Sequence, residues 1–204
     1  MRLTPWLALA FAACATAPRP PPVGGGEEKA ARAPLEASAP VAPADEPDFR
    51  HGVPGPTRWI DSELGFEIER PDGDEWEFAP GHAAPEGIVV PVIVLHVATG
   101  AQVVVQVAPD VAPAQEFAER LAVGLRSKPG FETTVPEPTR KGSAFRFTMG
   151  DSVLGSVGIT GSGGRLYVLL GTWPASAPTN VERDVHLIMA SLKTVVFHEA
   201  RAVR

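Results

Sequence analysis

One cysteine and one tyrosine occur in 204 residues. A single thiol, Cys14, excludes any disulfide within the chain, so the folded part must be held by its core alone. The same count excludes a cysteine-based zinc site. The five histidines (His51, His82, His96, His186 and His198) lack the close spacing of a helical metal pair, so no metal set and no cofactor are expected. No apolar run reaches the ~20 residues that cross a bilayer as a helix. Basic charge is in deficit, with 18 Lys and Arg against 24 Asp and Glu and a formal net charge of −6. That balance gives no electrostatic footprint for nucleic acid and no polybasic patch for anionic lipid.

What is present begins at the N-terminus. Met1-Arg2 is followed by an apolar stretch, Leu3 to Ala13, that ends at Cys14. A basic start, an apolar stretch and small residues before a cleavage point form a secretory signal. The string Phe11-Ala12-Ala13-Cys14 resembles the lipobox of bacterial lipoproteins. The resemblance implies cleavage before Cys14 and a thioether-linked diacylglycerol on its sulfur, which would anchor an exported protein to a membrane. Phe11 stands where that family usually has Leu. Two alternatives stay open: an ordinary signal cut after Ala15-Thr16-Ala17, where Pro18 disfavours cleavage, and an uncleaved anchor, for which Leu3 to Ala13 is too short. Loss of Arg2 with the signal takes the formal charge from −6 to −7. Ala15 follows Cys14 in place of the Asp of an inner-membrane retention signal, so by analogy the outer membrane is the favoured location.

Residues 14–57 read as a tether. Eleven of the 22 prolines lie in the first 56 residues, Pro20-Pro21-Pro22 favours polyproline II, and Gly24-Gly25-Gly26 is loose coil. Without apolar periodicity there is nothing to bury, and disorder is expected. As a flexible coil the segment spans roughly 35 Å, and near 130 Å if fully polyproline II, so it suits a spacer that lifts a domain off a membrane.

Residues 58–198 read as one domain, with 199–204 a frayed tail. Gly65-Phe66-Glu67-Ile68-Glu69 alternates as a strand and runs into the turn Arg70-Pro71-Asp72-Gly73. Ile88 to Val97 is a β-branched run whose Pro91 marks an edge, a bulge or a strand start. Val103, Val105 and Val107 alternate with polar residues. From Pro113 to Lys128 the period changes: Phe117, Leu121 and Leu125 form a helical stripe, stopped by Pro129-Gly130. Phe145 to Met149, Val153 to Ile159 and Leu166 to Trp173 form a meander, with Gly161-Ser162-Gly163-Gly164 as a hairpin loop. A last helix starts near Thr179, where Thr179 and Glu182 have capping-box spacing and Val181, Val185, Ile188 and Leu192 make one face. Lys193 to Phe197 suits a closing strand.

Strand runs separated by single helices predict an α+β fold with a mainly antiparallel sheet flanked by helices. The opening strand Gly65-Phe66-Glu67-Ile68-Glu69-Arg70-Pro71, Trp76 after it, the mid-chain helix and the end Met189-Ala190-Ser191-Leu192-Lys193 resemble the PsbP-like αβα sandwich family. That family includes the extrinsic photosystem subunit and many exported bacterial proteins. The resemblance implies the fold and brings no catalytic residues.

Other motifs carry no chemistry on this reading. Asp72, Asp74 and Glu75 cluster at a glycine turn but lack EF-hand spacing, and a solvated turn is expected. Gly150-Asp151-Ser152-Val153-Leu154-Gly155 has one residue too many for a nucleophile elbow. His96 shares strand parity with Val92 and Val94 and is expected to be a satisfied core or edge histidine. Trp59, Trp76 and Trp173 line either the core or a shallow groove, with core packing the default. The expectation is therefore a non-enzymatic exported lipoprotein, lipid-attached at Cys14, that binds or scaffolds at the cell envelope with an envelope protein partner and no nucleic acid. The alternative is a small-ligand-binding or hydrolytic envelope domain. A pocket with two titratable groups would favour that alternative, and an apolar surface patch would favour protein docking.

Overall fold

The computed structural model describes residues 51–83 and 87–194. Cys14, the signal, the tether up to residue 50, His198 and the tail 199–204 lie outside the described residues. In chain order the elements are β1 (Val53–Pro54), β2 (Arg58–Asp61), β3 (Phe66–Glu69), β4 (Trp76–Ala83), β5 (Val89–His96), β6 (Gln102–Pro109), α1 (Ala114–Arg126), β7 (Phe131–Thr133), β8 (Glu137–Thr139), β9 (Gly142–Met149), β10 (Val153–Ser162), β11 (Arg165–Pro174), α2 (Thr179–Ser191) and β12 (Lys193–Thr194).

A large sheet has the order β4-β5-β6-β11-β10-β9-β7, with β8 also paired to β9, and a small sheet has the order β1-β2-β3-β12. All pairs are antiparallel. β11 shows how the layers form. Because strand side chains alternate, Leu166, Val168 and Leu170 point to one face and Tyr167, Leu169 and Trp173 to the other. The first set joins Ala118, Leu121, Ala122 and Leu125 of α1 with Phe145, Phe147, Val157 and Ile159. The second joins Val181, Val185 and Ile188 of α2 with Phe66 and Ile68 of the small sheet and Val103 and Val105 of β6. The helix stripes thus cover opposite faces, and α2 shares its face with the small sheet. Sheet dominates over helix within the expected α+β class.

Pro91 falls at an irregularity in the β5–β6 register between Val89 and Val92. Opposite it, a side chain on Gly81 would run into the Val90 carbonyl. Here a bulge places a proline inside a paired strand. The Gly163-Gly164 turn has positive φ at both residues, 59° and 74°, as a two-residue hairpin requires.

Two expectations are corrected. The folded unit begins before residue 58: Val53 pairs with Ile60, Pro54 with Trp59, and Gly52 lies against the Trp59 indole. The last tether residues thus belong to the small sheet, because Trp59, only 6% exposed, needs a cover on that side. The capping box is also absent. Pro178 occupies the cap position of α2 with no side-chain cap bond, and Thr179 is the first helical residue. The extended backbone of Pro178 (φ −58°, ψ 147°) makes the break one residue earlier than the Thr-x-x-Glu spacing implied.

The closing segment is paired where the sequence suggested. Lys193 and Thr194 pair with Glu67 and Phe66, and residues 195–197 lie outside the described residues. The Ser191 hydroxyl accepts the Glu69 backbone N–H at 2.9 Å and donates to the Ile188 carbonyl at 2.7 Å. Lys193 lies 2.9 Å from the Glu67 carboxylate and 3.1 Å from that of Glu69. The Ser-Leu-Lys end therefore fastens α2 to β3.

Candidate functional site

α2 is set down on β11 through Gly171. A side chain there would meet Val185 Cγ1 at 2.6 Å and Met189 Sδ at 2.7 Å. This close approach holds α2 over β11, β6 and β3. Beyond it, on the same face, no other described element covers the outer part of β9 and β10, and a groove of about 360 Å³ lies there. Its floor is made by strand register: Leu154 stands opposite Trp173 on β11 and Thr148 on β9. Glu182 of α2 forms one wall, and Glu132 of β7 and Thr134 just after that strand form the other. Arg146 lines this groove and also a second depression of about 350 Å³ that continues past Val135 and Glu137 to Ser156.

Arg146 is positioned by its backbone. Its N–H donates to the Thr134 hydroxyl at 2.9 Å, and its carbonyl accepts from the Thr134 N–H at 2.9 Å. Its side chain is exposed, and among the described residues its guanidinium makes no ion pair or hydrogen bond. Nearby, the His186 ring stands edge-on to Trp173, with centroids 5.4 Å apart. His186 Nε2 is buried without a hydrogen bond and lies 3.8 Å from Glu182 Oε1. Burial, and then the positive field of Arg146, hold its pKa below the ordinary 6.5 against the opposing pull of Glu182. A neutral imidazole therefore stands beside the groove at neutral pH.

The groove can bind but is poorly equipped for nucleophilic chemistry. Its hydroxyls belong to threonines, and Ser156 of the adjoining depression faces Arg146 across the strands rather than a base. The other sequence candidates are dispersed. Ser152 is exposed in the β9–β10 turn, followed by a strand, so it makes no nucleophile elbow. His96 is 4% exposed, and its Nδ1 accepts the Thr99 N–H at 3.2 Å, with Trp76 edge-on at 5.0 Å. It fastens the β5–β6 turn. At the Asp72-Asp74-Glu75 turn, the Arg70 guanidinium donates to the carbonyls of Gly73 at 2.6 Å and Pro71 at 3.1 Å. Arg70 thus holds the backbone carbonyls of this turn. His82 is exposed on β4. Among the described residues no group of three His, Cys, Asp or Glu is placed to hold a metal.

Sequence reasoning missed the groove residues Glu132, Arg146, Leu154 and Glu182. Glu182 was read only as a cap, and Trp173 as a core residue by default with a shallow groove as the other reading. One signal was available: Arg146 stands on the outward side of an alternating strand beside a helix, where a lone cation needs an explanation. Asp61 was also missed. It is 1% exposed, and its Oδ1 accepts the Leu64 N–H at 2.7 Å, closing the β2–β3 turn. Its Oδ2 lies 3.6 Å from His51 Nδ1.

No protein-family model and no curated protein matches this chain. Solved structures do. The solution structure of cyanobacterial PsbP (CyanoP) from Synechocystis sp. PCC 6803 matches with a TM-score of 0.50 and 16% identity, over 70% of this chain and 95% of that one. A crystal structure from Bacteroides thetaiotaomicron matches with a TM-score of 0.39 and 11% identity, over 68% of this chain and 48% of that one. The first likeness shows a PsbP-like fold.

Proposed function

We propose that this protein is a non-enzymatic, lipid-anchored binding domain of the cell envelope, and that the groove between α2 and the β7–β9 edge is its binding site for a small ligand. The observation that carries this reading is the unpaired Arg146 guanidinium in a groove that also presents Glu132 and Glu182 over the apolar floor of Leu154 and Trp173. A volume near 360 Å³ lies at the lower end of the roughly 300–1,000 Å³ of small-molecule sites. Broad protein docking has less support. Of the exposed large apolar side chains only Val53 and Ile60 are cross-strand neighbours; Val97, Val111, Val123, Val135 and Leu187 stand on different strands, helices and loops. The envelope and the anchor rest on the Phe11-Ala12-Ala13-Cys14 string, and export through Cys14 would put the domain at the end of its tether.

The test has two arms. Cys14→Ala should abolish lipid labelling and move the protein from membrane to soluble fractions; an unlabelled wild type that fractionates identically rejects the anchor. For the groove, native mass spectrometry of protein purified from envelope extract should find a small molecule that is lost in Leu154→Trp, which fills the floor. Equal retention of that molecule by the folded variant rejects the site.

A further inference from the structure

We infer that the groove recognises a small zwitterion with an apolar side chain, an apolar α-amino acid or dipeptide, with its carboxylate on Arg146, its ammonium between Glu132 and Glu182, and its side chain on Leu154 and Trp173. The inference rests on the binding-site reading above and adds the ligand class. Charge carries it. Arg146 has no partner among the described residues, and its planar fork matches a carboxylate in two-point geometry. An anion alone would also meet Glu132, which has no ion pair among the described residues, and Glu182, whose ion-pair contact is the neutral His186. A cation alone would meet Arg146. A ligand carrying both charges answers all three groups. The floor adds specificity: Trp173 and the half-buried Leu154 line it with apolar surface. Size fits such a ligand, because about 360 Å³ holds one or two residues.

The experiment uses the full chain and four probes: free phenylalanine, N-acetylphenylalanine, phenylalaninamide and the dipeptide Leu-Phe. Calorimetry gives the affinities, and amide shifts of Gly155 and Thr148 with the Trp173 indole N–H report the place. Phenylalanine or Leu-Phe should bind and move these signals, while each blocked form of phenylalanine should bind at least about tenfold more weakly than the free amino acid. Arg146→Gln should weaken the free amino acid about tenfold and leave phenylalaninamide unchanged, and Glu182→Gln should weaken phenylalaninamide and spare N-acetylphenylalanine. These residues are exposed or half-buried, so the variants should fold, and their spectra check that. If N-acetylphenylalanine binds the groove as well as phenylalanine does, the zwitterion assignment is overturned and the groove remains a site for anions. If no probe moves the groove signals, the assignment is likewise overturned, and the co-purification result decides independently whether the groove is a site.

Discussion

The Tyr167 hydroxyl donates to the Leu64 carbonyl at 2.8 Å, joining β11 of the large sheet to the β2–β3 turn of the small one across 103 residues of chain. Tyr167 is the chain's one tyrosine, and its ring stands edge-on to Phe66 at 6.2 Å. Tyr167→Phe keeps that ring and orphans a buried carbonyl, so it should cost about 1–3 kcal/mol in urea denaturation. An unchanged midpoint would refute the role. Burial raises the hydroxyl pKa above 10.0. Its stabilising contribution is then intact below pH 10 and is lost as pH rises through the higher folded value. Tyrosinate absorbance of the native protein, which reports this residue alone, should develop above pH 10.

The two glycines beneath α2 differ in what a side chain would meet. Gly171→Ala runs into Val185 and Met189, whereas a methyl on Gly158 meets Met189 Cε at 3.6 Å, an ordinary contact. Gly171→Ala should therefore destabilise by about 1–3 kcal/mol as overpacking does, and Gly158→Ala should be near neutral. Equal thermal midpoints for the two variants would contradict the packing of α2.

On the opposite face, Leu121 is 4% exposed against Phe145, Phe147 and Ile159 of the same cluster. Leu121→Ala should cost about 2–5 kcal/mol. Against a typical total of about 5–15 kcal/mol, and with no disulfide as a second hold, a large part of the folded population would be lost. Circular dichroism melts measure this.

His186 gives an acid-side dependence. Its folded pKa is depressed, first by burial, then by Arg146 of β9, with Glu182 of α2 opposing. The neutral form is the folded form, so its stability contribution is present above pH 6.5 and is lost as pH falls through the lower folded value, while the unfolded chain takes up the proton. His186→Gln should flatten the stability profile between pH 7 and 5. A profile identical to wild type would show that the ring is freely protonated.

The boundary prediction follows from β1. Limited proteolysis should leave a resistant fragment that starts near residue 51, ahead of Trp59 and its cover. A fragment starting at residue 58 with undiminished stability would show that β1 contributes nothing.

The sequence by itself determined the elements whose information is local. The period of Phe117, Leu121 and Leu125 gave α1, alternation gave β3, β6 and β9–β11, and Gly161-Ser162-Gly163-Gly164 gave the hairpin, although Gly161 and Ser162 belong to β10 and only Gly163-Gly164 form the turn. The default of core packing holds for Trp59, Trp76 and Trp173, and of the core and edge readings of His96 burial selects the core. Short elements were not legible. Val53–Pro54, Glu137–Thr139 and the break at Pro178 carry too few residues for a period, and the two short strands are defined by their pairing with the neighbouring strands β2 and β9. Tertiary structure alone decided that the two helix stripes lie on opposite faces. It likewise decided that Glu132, Arg146, Leu154, Trp173 and Glu182, from five elements, line one groove. Register and layer order arise from contacts between residues far apart in the chain, such as Thr194 with Phe66 and Tyr167 with Leu64, and no local pattern encodes which face a helix will cover.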